Sequence, residues 1–302
     1  MTAYSVACLS GDGIGPEVMA QASRAVTAAA RLHGFSVHED YPPFGADAWM
    51  RVGHPFPATS RAAVLEADAV LTATLDRALQ ATLEGELDLR ATVLRVRLRG
   101  AGVTLVAPLD QDDWPWALEQ ALASALASRG RLALVTGENS WTAAVAEAVD
   151  DAGREFELLS PREAIRAFAA RPETFDVVAC DDALLLPLAE LAWCDDPRRV
   201  LAWGQLADEG PSIFGPSHGT AYDIAGQGVA DPGSMLLAAS LMLEEGLREP
   251  GAGATLASAV AYVCGNGLRS RNVSPTTGEV TDAVLARLPH SLANAEFFTE
   301  AV

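Results

Sequence analysis

Apolar positions along the chain follow two alternating rhythms. Ser5 to Ser10 is a short, largely apolar run, and it ends in the turn Gly11-Asp12-Gly13-Ile14-Gly15-Pro16-Glu17. An alanine-rich stretch from about Val18 to Leu32 then repeats at helical spacing. Phe35 to His38 predicts a second strand, Thr59 to Glu66 a helix and Ala69 to Ala73 a third strand. Further on, the pattern predicts strands at Gly102–Ala107 and Leu132–Thr136, with helices at Trp116–Ser128 and Thr142–Ala152. Phe175 to Cys180 is a strong strand followed by an apolar helix through Leu191. Beyond a Gly/Pro-rich stretch, a long apolar helix is predicted from Gly233 to Gly246, and shorter ones at Thr255–Val263 and Thr281–Leu288. Such alternation predicts an α/β fold with a largely parallel sheet covered by helices.

Composition narrows the function. The 302 residues, half of them apolar, suffice for one large domain or two modest ones. A formal charge of −19 repels phosphate backbones and anionic lipid, so neither nucleic acid nor a membrane surface is an expected partner. No apolar run reaches membrane-spanning length and no signal-peptide pattern opens the chain, so a cytoplasmic location is expected. Cys8, Cys180, Cys194 and Cys264 lack the spacing of a zinc site or a disulfide framework. Cys8 and Cys180 lie in strand-like runs and read as buried free thiols. All 21 basic residues are arginine. No lysine base, Schiff base or phosphate-binding lysine can therefore come from this polypeptide, and arginine stays protonated.

Two segments carry chemical information. The Gly11–Glu17 turn joins a strand to a helix at a strand's carboxyl end, where ligands bind in parallel sheets; an ordinary structural turn fits it equally well. The second segment is His218-Gly219-Thr220-Ala221-Tyr222-Asp223-Ile224-Ala225-Gly226-Gln227-Gly228-Val229-Ala230-Asp231-Pro232. An acid in such a glycine-punctuated loop can accept from ribose hydroxyls and repels a 2′-phosphate. The alternative is a surface loop with a helix cap at Asp231.

In this order and spacing the two segments resemble the isocitrate/isopropylmalate dehydrogenase family, with its G-D-G-I-G-P-E turn and its H-G-[ST]-A-x-D-I-A-G-x-G-x-A-[ND]-P loop. Phe175–Val178 is similar to the family's F-D-V-I strand. The resemblance weakens over Thr74–Gly137 and Cys180–Gly210. It implies a two-domain fold: a split cofactor-binding domain from residues 1–95 and 198–302, and a shortened middle domain from residues 96–197. It further implies NAD as cofactor, held by Gly13, Ile14, His218, Gly219, Thr220, Ala221, Asp223, Ile224 and Asp231. His218 is expected near the base and Asp223 on the ribose. Asp231 stands where asparagine is usual and cannot donate a hydrogen bond. Family dimers share active sites, so a homodimer, or a heteromer with an active paralogue, is the implied assembly.

The implied catalytic positions differ. The family decarboxylates at Mg²⁺ or Mn²⁺, which wants several hard oxygen ligands. Two family aspartates four residues apart fall here on Leu186 and Glu190, with Pro187 expected to disturb the helix outside its first turn. Asp112, Asp113, Asp181, Asp182, Asp195 and Asp196, together with Glu190, are the carboxylates open to a relocated metal site, the alternative being solvated loop acids in an acidic chain. Gly137-Glu138-Asn139-Ser140 stands where the family lysine is expected, and Leu109–Trp114 replaces the stretch with its arginine and tyrosine. Arg90, Arg95 and Arg97 resemble the substrate-binding arginines, the alternative being a solvated arginine-rich strand. Three functions stay open: a catalytically silent nucleotide-binding relative, an enzyme of changed chemistry, and an NAD-dependent oxidoreductase acting on a 2-hydroxy acid.

Overall fold

The computed structural model describes residues 2–75, 77–98, 101–128, 131–135, 156–171, 174–193, 200–266 and 274–299. The chain forms two compact units, Met1–Asp88 with Ala202–Val302, and Leu89–Leu201. The expected segment Gly137–Ser140, the helix at Thr142–Ala152, Cys194, Asp195 and Asp196 lie outside the described residues.

In chain order, β1 (Ala3–Leu9) leads into α1 (Gly15–His33), β2 (Ser36–Asp40), α2 (Gly45–Val52), α3 (Ala58–Glu66), β3 (Ala69–Thr72) and α4 (Arg77–Glu84). The middle unit runs β4 (Leu89–Leu98), β5 (Ala101–Pro108), a 3₁₀ turn at Gln111–Asp113 and α5 (Trp114–Ser128). It continues with β6 (Leu132–Val135), β7 (Phe156–Leu159), α6 (Pro161–Ala170), β8 (Val177–Ala179) and α7 (Asp182–Trp193). The chain then returns through β9 (Leu201–Ala207), β10 (Ser212–Pro216), α8 (Gly233–Leu241), α9 (Pro250–Asn266) and α10 (Thr277–Thr299).

In the first unit the strand order is β2-β1-β3-β10-β9, parallel except for the β10–β9 pair. Val6, Ala7, Cys8 and Leu9 are all buried, the mark of a strand covered on both faces. Helix α1 opens with Pro16 in its first turn, where the missing N–H costs nothing. It buries Val18, Met19, Ala22, Ala25, Val26 and Ala29, one stripe at helical spacing. That stripe packs among α8, α9 and α10.

The predicted helix at Gly233–Gly246 divides. Its first nine residues are α-helical, and Met242–Gly246 forms a π turn in which the Leu247 N–H reaches the Met242 carbonyl at 2.9 Å. The wider turn seats Gly246 against the Phe214 ring, 2.7 Å from where a Cβ would stand. Gly204, on the neighbouring strand, faces the same ring at 2.6 Å. Phe214 thus lies in a slot that two side-chain-free positions create, with none of its surface exposed.

In the middle unit the strand order is β4-β5-β8-β6-β7, with only the β4–β5 hairpin antiparallel. That hairpin is paired from Ala91–Pro108 to Leu98–Ala101, so residues 89–95 go with the middle unit. The boundaries accordingly fall at 88/89 and 201/202, not at 95/96 and 197/198. Phe168 and Phe175 stack at 5.0 Å in its core. Helix α6 begins with a reciprocal capping box between Ser160 and Glu163.

Pro187 departs from expectation. It lies past the first turn of α7, yet the helix runs on to Trp193. Proline there deletes one helical hydrogen bond and crowds the preceding turn. Because Pro187 is exposed, the Pro187→Ala variant loses no packing. It is expected to gain about 1–3 kcal/mol, read as a Tm higher by several degrees. An unchanged or lowered Tm would mean that the proline carries no such penalty. No described helix is long and apolar enough to cross a membrane.

Candidate functional site

The first unit brings the two glycine-rich segments together. The turn after β1 is tied to the end of β3: the Thr74 hydroxyl accepts from the Asp12 N–H at 2.8 Å and donates to the Asp12 carbonyl at 3.0 Å. The Asp12 carboxylate accepts from the Ala46 N–H at 2.9 Å, which fixes the start of α2. Gly13 has φ +61°, and a Cβ built on it would stand 1.9 Å from the Thr220 carbonyl oxygen. Only glycine allows that approach. The same carbonyl accepts from the Ile14 N–H at 2.8 Å, so the turn and the loop meet through main-chain atoms.

The loop from Ser217 to Pro232 has no regular structure and is held from three directions. Its near end rests on Ile14. Its far end is gripped by the Glu17 carboxylate, which accepts from the Gly226 N–H at 3.0 Å and the Ala230 N–H at 3.2 Å. Thr277, at the start of α10, donates its N–H to the Gly228 carbonyl at 2.9 Å and its hydroxyl to the Ala230 carbonyl at 2.7 Å. Ala221 sits at φ +38°, a conformation that L-residues seldom adopt and that surroundings must impose.

His218 is the electrostatic focus. Its Nδ1 lies 3.2 Å from the Gly219 carbonyl oxygen. A carbonyl only accepts, so this pairing assigns the proton to Nδ1 and leaves Nε2 as an acceptor. Nε2 is buried and finds no hydrogen-bond partner among the described residues. Burial lowers the ring's pKa below the ordinary histidine value, with Gly219 and Asp231 opposing, so the imidazole is neutral at pH 7. A buried, unpartnered acceptor is costly unless a ligand supplies the donor.

Asp223 is exposed, and its carboxylate makes no hydrogen bond or ion pair among the described residues. Its main-chain carbonyl accepts from the Gln227 amide at 2.8 Å. Gly219 is exposed, while Thr220 and Ile224 are half-buried beside it. The Asp231 carboxylate accepts from the Gly233 N–H at 2.8 Å, an Asx-type turn that leads into α8, whose N-cap residue is Pro232. Asp12, Glu17, Thr74 and Thr277 are the residues that sequence reasoning gave no role. Glu17 was visible as the last letter of the Gly11–Glu17 turn and as an acid near a helix N-terminus, where the dipole alone accounts for it, with no partner indicated.

The middle unit holds the other candidates. Arg90 Nη1 lies 3.4 Å from Asp113 Oδ1. Arg95 is 9% exposed, on the strand face it shares with buried Ala91 and Val93, and its Nη2 is 3.4 Å from Thr104 Oγ1. A solvated arginine strand does not describe Arg95, because Leu94 and Val96 on the opposite face are buried as well and both sides of β4 are covered there. Arg97 lies on β4, with its side chain outside the described residues. Leu186, Pro187 and Glu190 are exposed on α7, Asp182 opens that helix, and Asp181 just precedes it. Among the described residues no three His, Cys, Asp or Glu side chains group so as to hold a metal ion. Trp114 is buried.

Known proteins share this architecture. The family profile "Isocitrate/isopropylmalate dehydrogenase" matches residues 5–98 and 200–284. The chain is 29% identical to the 3-isopropylmalate dehydrogenase of Thermobifida fusca, covering 94% of this chain and 97% of that protein. It is 28% identical to that of Synechococcus sp. (strain CC9902), with 89% and 93% covered. The first match runs over 346 positions, more than the 302 residues here, so it contains gaps in this chain. Among solved structures, an apo β-decarboxylating dehydrogenase from Thermococcus kodakarensis superposes with a TM-score of 0.81, at 23% identity over 97% of this chain and 98% of its own. Isocitrate dehydrogenase from Methylococcus capsulatus gives 0.76 at 20% identity, with 94% and 99% covered. The profile spans more than half of the chain, with both glycine-rich segments inside it: the protein belongs to the isocitrate/isopropylmalate dehydrogenase family.

Proposed function

We propose that the protein binds NAD(H) or a closely related nucleotide at the 218–232 loop and does not by itself carry out metal-dependent oxidative decarboxylation. The observation that carries the first half is the pairing of a buried, unpartnered His218 Nε2 with an exposed, unengaged Asp223 carboxylate on one pinned loop. The first is an acceptor suited to an exocyclic amine, the second to a pair of ribose hydroxyls. His218 is the loop's only basic side chain and it is neutral, so nothing there favours a 2′-phosphate; the expected preference is for NAD over NADP.

The second half rests on what the residues cannot supply. The chain has no lysine, and Leu186 offers no oxygen where its position on α7 would need one. Asp181, Asp182 and Glu190 form no three-carboxylate group among the described residues, which supports a chain without the family's ligand set for Mg²⁺ or Mn²⁺. These gaps support the reading of a silent or repurposed subunit, and pairing with a lysine-bearing paralogue is compatible with it. The competing reading is an NAD-dependent oxidoreductase, favoured by relatives that are named 3-isopropylmalate dehydrogenase.

Calorimetric titration with NAD⁺, with and without Mg²⁺, tests the site. Saturable binding indifferent to metal is expected, and lack of binding at millimolar NAD⁺ would remove the nucleotide assignment. NADH formation from 3-isopropylmalate in the presence of Mg²⁺ would instead establish the competing reading. In the same titration, Asp223→Ala is expected to weaken NAD⁺ binding about tenfold, the worth of one or two hydrogen bonds to a charged acceptor.

A further inference from the structure

Glu17 does more than favour a helix dipole. It stands on the first turn of α1, yet its carboxylate reaches two main-chain amides more than 200 residues away in sequence. The Gly226 N–H lies 3.0 Å from Oε2 and the Ala230 N–H lies 3.2 Å from Oε1. The Thr277 hydroxyl also approaches Oε1 at 3.3 Å, but its hydrogen serves the nearer Ala230 carbonyl at 2.7 Å. The loop has neither helix nor strand between Ser217 and Pro232; the Ile224 and Gln227 amides bond to loop carbonyls, while those of Gly226 and Ala230 take their acceptor from outside the loop. One carboxylate bridging two amides four residues apart closes the far half of the loop. The Ile14–Thr220 bond closes the near half. Both fastenings come from the same end of the same helix.

We propose that Glu17 is a positioning residue for nucleotide binding: its carboxylate clasps Gly226 and Ala230 and holds the loop in the shape that presents His218 and Asp223. It acts through the loop and does not touch the ligand. This rests on the reading of the loop as a nucleotide site, and it adds a residue that controls affinity from outside that site. An ionised carboxylate only accepts, so it can serve both N–H groups at once. A glutamine amide can serve one with its oxygen and opposes the other with its own N–H groups. The order of binding strength is therefore Glu, then Gln, then Ala.

The test uses the full chain and ADP-ribose, which carries the adenosine half of NAD without the nicotinamide. Glu17→Gln and Glu17→Ala are compared with the parent by titration, by Tm and by amide hydrogen exchange without ligand. Expected are affinity losses of about tenfold or more for Ala and less for Gln, with fast exchange appearing at Gly226 and Ala230. The Tm and the exchange of β1 and β3 amides should stay close to the parent's. If the parent binds ADP-ribose and both variants bind it equally well, the positioning role is overturned while the nucleotide site stands. If the parent itself fails to bind, the nucleotide reading falls and takes this role with it. Affinity loss accompanied by an equal loss of protection throughout β1 and β3 would reduce Glu17 to general support of the fold. Should the alanine variant not fold, the glutamine variant alone decides, by the same readings.

Discussion

Alanine at position 13 is expected to cost about 3 kcal/mol or more of stability and to abolish measurable binding of ADP-ribose. The methyl group would stand 1.9 Å from the Thr220 carbonyl oxygen, well inside contact distance, so one of the two segments must move. A residue with a Cβ also pays about 1–2 kcal/mol to hold φ at +61°. Relief by backing away breaks the Ile14–Thr220 hydrogen bond, worth about 1 kcal/mol, and displaces the loop that carries His218 and Asp223. Urea unfolding reads the first effect and titration the second. A Gly13→Ala protein with parental stability and affinity would mean that the turn and the loop do not meet as described.

Phe214→Ala is the second large effect, and it acts on the core rather than the site. Truncating a fully buried aromatic ring costs about 3–5 kcal/mol. The upper part of that range is expected, because the walls of the slot cannot close in: Gly204 and Gly246 have no side chains to move. The geometry also fixes a coupling. Gly204→Ala in the parent pushes a methyl group to 2.6 Å from the ring and should destabilise. In the Phe214→Ala background the same change fills vacated space and should be neutral or favourable. A double-mutant cycle that came out additive would contradict this packing.

The slot also explains where sequence reading stopped. The stretch that holds β9 and β10 looked like a Gly/Pro-rich connection, because Gly204, Gly215 and Pro216 all depress strand propensity. Those glycines are required by neighbours distant in sequence, Phe214 against Gly204 and the Trp203 ring against Gly215, and local preference carries no trace of that. By contrast β1, its turn and α1 were legible, because an apolar run, punctuating glycines and a helical stripe agree there. The Ser160–Glu163 capping box was an equally clear signal for α6, and it passed unread beside the more conspicuous motifs. Nothing local marked the change from α to π winding after Leu241, since apolar residues continue through it.

The candidate site divides in the same way. Its ligand-facing positions were legible through family resemblance, motif by motif. Its fastenings were not: Asp12 and Glu17 stand in the resembling turn without any sign of their partners, and Thr74 and Thr277 look like ordinary polar residues, because all four act on partners far along the chain. Arg95 shows the opposite error. Three arginines in ten strand residues suggest water, but both faces of β4 are covered around Arg95, with Val93, Leu94 and Val96 buried beside it.

The first unit is built from both sides of the middle one, and this sets a timetable for synthesis. Strand β3 pairs with β10 at Val70–Ile213, across 143 residues of chain. At ribosomal speeds of 5–20 residues per second, β3 waits roughly 10–30 s for that neighbour. During that interval the β1–β2–β3 group has an unpaired edge made of Ala69, Val70, Leu71 and Thr72, a short template open to any passing strand. The middle unit is contiguous, and its β5 waits about half as long for β8, paired at Leu105–Val178. A nascent chain stalled near residue 240, with about 200 residues clear of the ribosome, should therefore carry a protease-resistant middle and an N-terminal segment that depends on chaperones.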